Sequence, residues 1–285
     1  VSQVLFDGVC SSSPSHDGGE LRFLPDGSLL WSTGDGAQYL GIDAGPDFDE
    51  CKRRDIPGDI LQGAYRSQSD QFLHGKVIRI FPDSLLVDRE LEQGRDFVVV
   101  AQGFRNPFRM TVDPLSGSTL VGDVGSNGYE EINVIEDPTS GSVRNFGWPC
   151  MEGPLPMPSY STYAGEVGNS ICSTLGNAKL PAFAYRDGPV DKERPDLCRS
   201  GQASISGLKV YTGRAYPAFY QGALFFVDGT RGCAWFFRRI NGLIDWQNPQ
   251  TFIYGEGYYT DIFQGLDGNL YLAELSRNRV VKVVA

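Results

Sequence analysis

Apolar and polar residues alternate in short runs along this chain, and the runs come in pairs. Leu21-Arg-Phe-Leu leads through the turn Pro25-Asp-Gly into Ser28-Leu-Leu-Trp31, and Arg109-Met-Thr-Val leads through Leu115-Ser-Gly into Thr119-Leu-Val121. The same form returns between Gly207 and Val227, and from Asp261 through Leu266-Asp-Gly into Leu270-Tyr-Leu272. A period of two predicts strands, and glycine accepts the positive φ of a tight turn, so each pair reads as a β-hairpin. An acidic residue closes each hairpin: Asp35, Asp123, Asp228 and Glu274. Their separations are roughly two, two-plus and one times the ~40–50 residues of a propeller blade. The expected fold is therefore all-β and a β-propeller; a β-sandwich shares the short strands but not this spacing.

Two stretches break the rhythm, residues 41–72 and 150–204, the second rich in Pro, Gly, Ser and Tyr. Loops this long inside a compact domain are usually functional or pinned, and both contain cysteines. The six cysteines are even in number, with no Cys-x-x-Cys and only two histidines in the chain, which favours disulfides over a zinc site. We expect Cys10–Cys51, Cys150–Cys172 and Cys198–Cys233, although six cysteines allow fifteen connectivities. Disulfides imply an oxidising setting: secreted, at the cell surface, or periplasmic in a bacterium.

Composition supports this picture. The 35 glycines and 17 prolines against 3 methionines suit short strands and many turns, and residues 1–285 read as a single domain. A net charge of -10 repels a phosphate backbone, so nucleic acid is not an expected partner. No apolar run approaches the ~18 residues of a membrane span. Val1 opens directly into the strand-like Val-Ser-Gln-Val-Leu-Phe, which predicts a chain that begins inside a longer precursor.

Several motifs then fall in a specific order: Ser15-His-Asp-Gly-Gly19, Gly34-Asp-Gly36, Gly75-Lys-Val-Ile-Arg-Ile80, Gly103-Phe-Arg-Asn-Pro-Phe-Arg109, Asp123-Val-Gly125 with Glu130-Glu-Ile-Asn133, and Asn145-Phe-Gly-Trp-Pro149. From about His16 onward the chain resembles the glucose/sorbosone dehydrogenase family, which includes soluble quinoprotein aldose dehydrogenases and Hedgehog-interacting-protein-like proteins. The resemblance implies a six-bladed propeller of the soluble quinoprotein glucose dehydrogenase type, with the first blade lying before this chain.

It also implies roles. His16 matches the base that takes a sugar hydroxyl proton while hydride moves to pyrroloquinoline quinone, and an imidazole suits that task near neutral pH. Arg105 and Asn106 match residues that hold the quinone, joined by Arg231 of Gly229-Thr-Arg-Gly232. Gly125 and Ser126 match backbone ligands of a cofactor-side Ca²⁺, while Glu131 and Phe146 match ligands of a structural Ca²⁺; hard oxygen donors on a glycine-rich turn suit that ion. His74 has no such support and reads as solvated surface. Arg109 reads as a blade-face residue. Tyr160, Tyr163, Tyr185, Tyr258 and Tyr259 are candidates for stacking on a sugar or for plain packing.

The chain also departs from the family. Ser15 stands where the quinoprotein enzymes have an acidic residue before the base, leaving Asp17 as a carboxylate that could orient the imidazole. Tyr258 and Thr260 fall where the late arginines clamp the quinone. Two functions are therefore expected: a quinone-dependent dehydrogenase acting on an aldose or related sugar, or a non-catalytic extracellular propeller binding a glycan or other extracellular or cell-surface protein chains. A glycoside hydrolase would need paired carboxylates across a cleft, and Asp35, Asp123, Asp228 and Glu274 are better explained as repeat structure. A serine hydrolase lacks its Gly-x-Ser-x-Gly elbow.

Overall fold

A computed structural model describes residues 3–12, 14–44, 62–86, 88–166, 171–188, 198, 201–255 and 257–284. The chain divides into two compact units, Val1–Phe108 with Asp137–Pro181, and Arg109–Glu136 with Ala182–Ala285.

In the first unit, β1 (Gly18–Phe23), β2 (Leu29–Thr33), β3 (Lys76–Ile80) and β4 (Phe97–Gln102) form one antiparallel sheet in chain order. The two-residue strand Arg144–Asn145 extends it by pairing in parallel with the end of β4. The predicted Leu21–Trp31 hairpin is β1 and β2, with Leu21 opposite Trp31. Ile78 and Ile80 of β3 pack with Leu29 and Phe97 on one face. Phe6 closes over that cluster, its ring 4.9 Å from both Trp31 and Phe97. The segment Gln3–Phe6 is thus not the expected opening strand: Phe6 alone packs against Trp31 and Phe97, while Val4 is exposed.

The long stretch 41–72 is not featureless either. Gly63–Gln68 makes a 3-10 turn in which all six residues are buried. Its carbonyls are collected by Lys76, whose ammonium donates to the carbonyls of Arg66 (3.2 Å), Ser67 (2.7 Å) and His74 (2.9 Å). A buried ammonium needs such partners, because an unpaired charge away from water is costly. Burial still pushes the Lys76 pKa down to about 7, against a smaller opposing pull from Asp70.

The second unit holds β5 (Pro107–Val112, its first two residues belonging to the first unit), β6 (Thr119–Asp123) and β7 (Tyr129–Ile135). Then come β8 (Phe183–Arg186), β9 (Ile205–Val210), β10 (Leu224–Asp228), β11 (Cys233–Phe237), β12 (Gln250–Tyr254), β13 (Tyr259–Gln264), β14 (Leu270–Glu274) and β15 (Arg279–Lys282). They form three sheets, ordered β8-β7-β6-β5, β9-β10-β11-β12 and β13-β14-β15. Each of the three predicted hairpins of this unit appears, as β5/β6, β9/β10 and β13/β14.

The middle sheet is apolar on both faces, which explains why Leu-Phe-Phe-Val and Cys-Ala-Trp-Phe-Phe do not alternate with polar residues. Leu224, Phe226, Trp235 and Phe237 pack with Leu120 and Ile132 of the preceding sheet. Phe225, Val227, Ala234 and Phe236 pack with Ile262, Leu270 and Leu272 of the following one. Successive antiparallel sheets, here of four, four and three strands, stacked face to face are the blade arrangement of a propeller.

Residues 150–204 carry more structure than expected. They include a small hairpin of Met151–Glu152 with Leu155–Pro156, helix α1 (Pro158–Glu166), helix α2 (Ile171–Thr174) and the outer strand β8. Strand β8 joins by backbone pairing, Phe183 opposite Ile132 and Arg186 opposite Tyr129. Disulfides Cys150–Cys172 and Cys198–Cys233 are both present as expected. The Cys10–Cys51 pairing and the side chain of Tyr163 lie outside the described residues. Among the described residues no helix is long and apolar enough to cross a membrane.

Candidate functional site

The candidate base sits where two chain segments come unusually close. His16 lies two residues before the start of β1 with φ of 57°, and the backbone of Gly34, just after β2, lies directly against it. A Cβ added to Gly34 would fall 1.6 Å from the His16 carbonyl oxygen, so only glycine fits there. Gly36 N–H then donates to the same carbonyl at 3.2 Å.

This approach places the His16 ring on Asp35. Nδ1 lies 3.0 Å from Asp35 Oδ1, with His16 6% and Asp35 0% exposed. The Asp35 carboxylate also accepts from Ala37 N–H (2.8 Å, Oδ1) and from the Trp148 indole N–H (2.8 Å, Oδ2). Burial alone would push its pKa up; the charge and hydrogen bond of His16, the charge of Arg105 and the Ala37 N–H outweigh that and hold it below the ordinary carboxylate value. An ionised Asp35 can only accept, so Nδ1 carries a ring proton, and the neutral form of the ring has its lone pair at Nε2. Nε2 has no hydrogen bond among the described residues.

The carboxylate that orients His16 is therefore Asp35, reached across the β1–β2 hairpin, and not the exposed neighbour Asp17. Asp35 was visible in the sequence as a hairpin-closing acid, but nothing in the local pattern showed that His16 would fold back onto it. Trp148 gave no polar signal at all.

Arg105 and Asn106 stand beside this pair. The Arg105 carbonyl accepts from Asp35 N–H at 2.8 Å, and its guanidinium lies 5.7 Å from the centre of the Trp148 ring. Asn106 Oδ1 accepts from Gly18 N–H at 3.2 Å, two residues after His16. The sequence-predicted His16, Arg105 and Asn106 are thus brought together, with Arg105 8% exposed.

His74 is not solvated surface. It is 4% exposed, its Nε2 lies 2.6 Å from the Cys10 carbonyl, and its Nδ1 is buried without a hydrogen-bond partner. Burial, then the nearby Arg66 charge, push its pKa down to about 4. The glycine turn that suggested exposure is instead packed inward: a Cβ at Gly75 would meet Ser67 and the Phe104 carbonyl.

The other predicted residues lie in separate places. In the second unit, Glu130 is held by Gly125 N–H (3.2 Å) and Ile205 N–H (2.8 Å). Ser126 is half-buried, and its hydroxyl accepts from Asn127 Nδ2 at 3.1 Å. Glu131 lies on β7 directly opposite Asp123 of β6 and accepts from Asn133 Nδ2 at 2.8 Å, while Asn133 Oδ1 is buried without a hydrogen-bond partner. A carboxylate beside an orphaned amide oxygen is a hard-oxygen pair suited to Ca²⁺. Phe146 belongs to the first unit, buried against Phe104 with ring centres 5.0 Å apart. Among the described residues no three of His, Cys, Asp and Glu cluster closely enough to hold a metal by themselves.

Arg231 is buried in the second unit. Its guanidinium donates to the carbonyls of Arg186 and Gly188 (3.4 Å) and lies 5.3 Å from the Tyr185 ring centre, while its own N–H binds Asp228. The Tyr185 hydroxyl donates to Asp228 at 2.8 Å. Tyr160 and Tyr259 are buried packing residues, Tyr258 is 40% exposed, and Arg109 sits on β5 with Nε 3.8 Å from Asp261.

Comparisons with known proteins agree with the family resemblance and the propeller fold. The chain is 29% identical over 244 residues to the HIPL2 protein of Arabidopsis thaliana, covering 82% of this chain and 31% of that protein. It is 24% identical to aldose sugar dehydrogenase YliI of Escherichia coli, covering 95% and 61%. A solved glucose dehydrogenase shares the fold with a TM-score of 0.63 at 21% identity, covering 95% of this chain and 64% of that one. The PQQ-bound aldose sugar dehydrogenase of Streptomyces coelicolor does so with a TM-score of 0.58 at 17% identity, covering 93% and 61%. This chain spans less than two thirds of the length of each of these proteins. The model of the glucose/sorbosone dehydrogenase family matches residues 1–282, and with its all-β propeller fold the chain belongs to that family.

Proposed function

We propose that this chain carries the base half of a sugar dehydrogenase active site, oxidising an aldose or related sugar with pyrroloquinoline quinone as acceptor. The observation that supports it most is the buried His16–Asp35 pair, with Nδ1 held on the carboxylate and Nε2 without a hydrogen-bond partner among the described residues. Oxidising a CH–OH group requires removal of the hydroxyl proton as hydride leaves the carbon. His16 Nε2 accepts that proton, and Asp35 fixes the tautomer and stabilises the imidazolium that forms. The Arg105 guanidinium and the Asn106 amide, adjacent to the pair, suit the carboxylates and carbonyls of the cofactor. Bound quinone would supply the two-electron acceptor. Within the second unit, Gly125 and Ser126 would offer backbone oxygens to one Ca²⁺, and Glu131 with the Asn133 oxygen suits another. Disulfides Cys150–Cys172 and Cys198–Cys233 favour a secreted or periplasmic setting.

One observation favours the second reading, a non-catalytic propeller that binds a glycan or an extracellular protein. The Arg231 guanidinium is engaged by backbone carbonyls, and Tyr258 stands where the family's late arginines belong, so the described residues offer few cations to a triply anionic cofactor. Titrating quinone into the full-length protein with Ca²⁺, by absorbance, decides between the two. Saturable binding weakened by Arg105→Ala, with sugar-dependent reduction abolished by His16→Ala, establishes the dehydrogenase; no binding at accessible concentrations leaves a recognition propeller.

A further inference from the structure

Among the described residues Arg66 is the largest side chain buried to below 2% exposure, and the sequence motifs give it no role. Its guanidinium makes three directed contacts. Nε donates to the Gly63 carbonyl at 3.0 Å; Nη2 donates to the Gly36 carbonyl at 3.0 Å and reaches Ser12 Oγ at 3.4 Å. Gly36 follows Asp35 directly, and Ser12 lies on the arm that delivers His16. One planar group therefore ties together the two segments whose meeting creates the His16–Asp35 pair.

The backbone around it leaves little freedom. Gly36 N–H binds the His16 carbonyl, and Ser12 N–H binds the Gly36 carbonyl at 2.7 Å, the same oxygen that receives Arg66. Arg66 itself sits in the 3-10 turn Gly63–Gln68, whose last carbonyls are pinned by Lys76. The same turn reaches the other side of Asp35, because Ser67 Oγ and Gln68 Nε2 both donate to the Trp148 carbonyl, at 2.7 and 2.6 Å. Asp35 and Asp43 both favour the Arg66 charge, which burial alone disfavours.

We propose that Arg66 is a positioning residue for the His16–Asp35 pair, a guanidinium fork that clamps the Ser12 arm to the Gly36 turn and so fixes the proton on Nδ1. The clamp rests on the dehydrogenase reading only for its catalytic meaning. Its structural content is independent of quinone and sugar.

The fork is essential to the clamp. Lysine keeps the charge but presents one flexible ammonium, which cannot reach Gly63, Gly36 and Ser12 in the same plane. The charged groups around the pair are Asp35, Asp43, Arg105, Lys76, the exposed Asp17, and His74 when it is protonated; Arg66→Lys leaves all of them in place.

The chain contains only two histidines, so ring ¹⁵N–¹H correlation spectra resolve His16 directly, with His74→Gln providing the assignment. At neutral pH and without any cofactor, the native protein should show His16 with the proton on Nδ1 and slow exchange of that proton. Arg66→Lys should shift His16 toward a mixture of tautomers and speed exchange of the Nδ1 proton at least several-fold, with far-ultraviolet circular dichroism unchanged. Ser12→Ala should speed exchange by a smaller factor in the same direction. A folded Arg66→Lys protein with native His16 tautomer and exchange overturns the proposal. If Arg66→Lys does not fold, a native His16 spectrum in Ser12→Ala overturns it instead. Loss of sugar oxidation in a protein whose His16 signature is unaltered refutes the clamp while leaving the dehydrogenase reading intact.

Discussion

His74 makes the stability of this protein depend on pH in a calculable way. The ring is neutral when buried, with Nε2–H donating to the Cys10 carbonyl and Nδ1 unpartnered, and Arg66 and Lys76 both oppose a second proton. Its pKa is therefore about 4 in the folded protein, against 6.5 when exposed. The unfolded chain takes up the proton as pH falls through 6.5, and the folded chain does so only near 4. The stabilisation is fully present above about pH 7 and is lost progressively between 6.5 and 4. Linkage gives a loss of about 2 kcal/mol by pH 5 and about 3 kcal/mol once both states are protonated.

Urea unfolding of the native protein and of His74→Gln, at pH 7.5 and pH 5, isolates this contribution. Glutamine keeps an N–H donor for Cys10 but cannot ionise. The native protein should lose about 2 kcal/mol more than His74→Gln over that interval. Other groups, such as the acid-sensitive Asp35, cancel in the comparison because both proteins contain them. Equal losses in the two proteins would refute the reasoning and show that His74 protonates freely in the folded state.

Two further outcomes follow from the packing. Gly34→Ala forces the backbone at His16 back by more than 1 Å, since the added Cβ would lie 1.6 Å from its carbonyl oxygen; thermal unfolding should show a loss of about 1–3 kcal/mol, and any sugar oxidation should fall about 100-fold. Lys76→Met leaves the carbonyls of Arg66, Ser67 and His74 without their donor, and denaturant titration should show a loss of about 3 kcal/mol or more, large enough to distinguish it from an exposed Lys→Met change.

The hairpins β1/β2, β5/β6, β9/β10 and β13/β14 were legible in the sequence as paired short apolar runs separated by glycine-containing turns, although β10 itself is apolar on both faces. The two cystines within the described residues were legible as well. Strand β8 was not, since it joins its sheet by main-chain bonds and carries no periodic signature. The Gly63–Gln68 turn was hidden for a related reason: its polar side chains, Arg66 and Gln68, look like surface residues until their internal partners are known. The same blindness made His74 look exposed and left Asp35 unassigned as the partner of His16. Buried polar networks are set by tertiary contact, and local pattern does not report them.

The double-sided strands β10 and β11 pose a problem that their own hydrophobicity cannot solve. In an amphipathic strand, a slip of one residue turns the apolar set toward water and is penalised at once. Here a slip would exchange Leu224 and Phe226 for Phe225 and Val227, one oily surface for another, and water would detect nothing. Alignment must then be enforced from the strand ends. Asp228 does this at the end of β10: displaced by one position, its buried carboxylate would lose the Tyr185 hydroxyl and the N–H groups of Ser204 and Arg231 together. Cys233 does it at the start of β11, tethered to Cys198 by a covalent bond. The greasiest strands of the protein owe their register to one acid and one sulfur bridge.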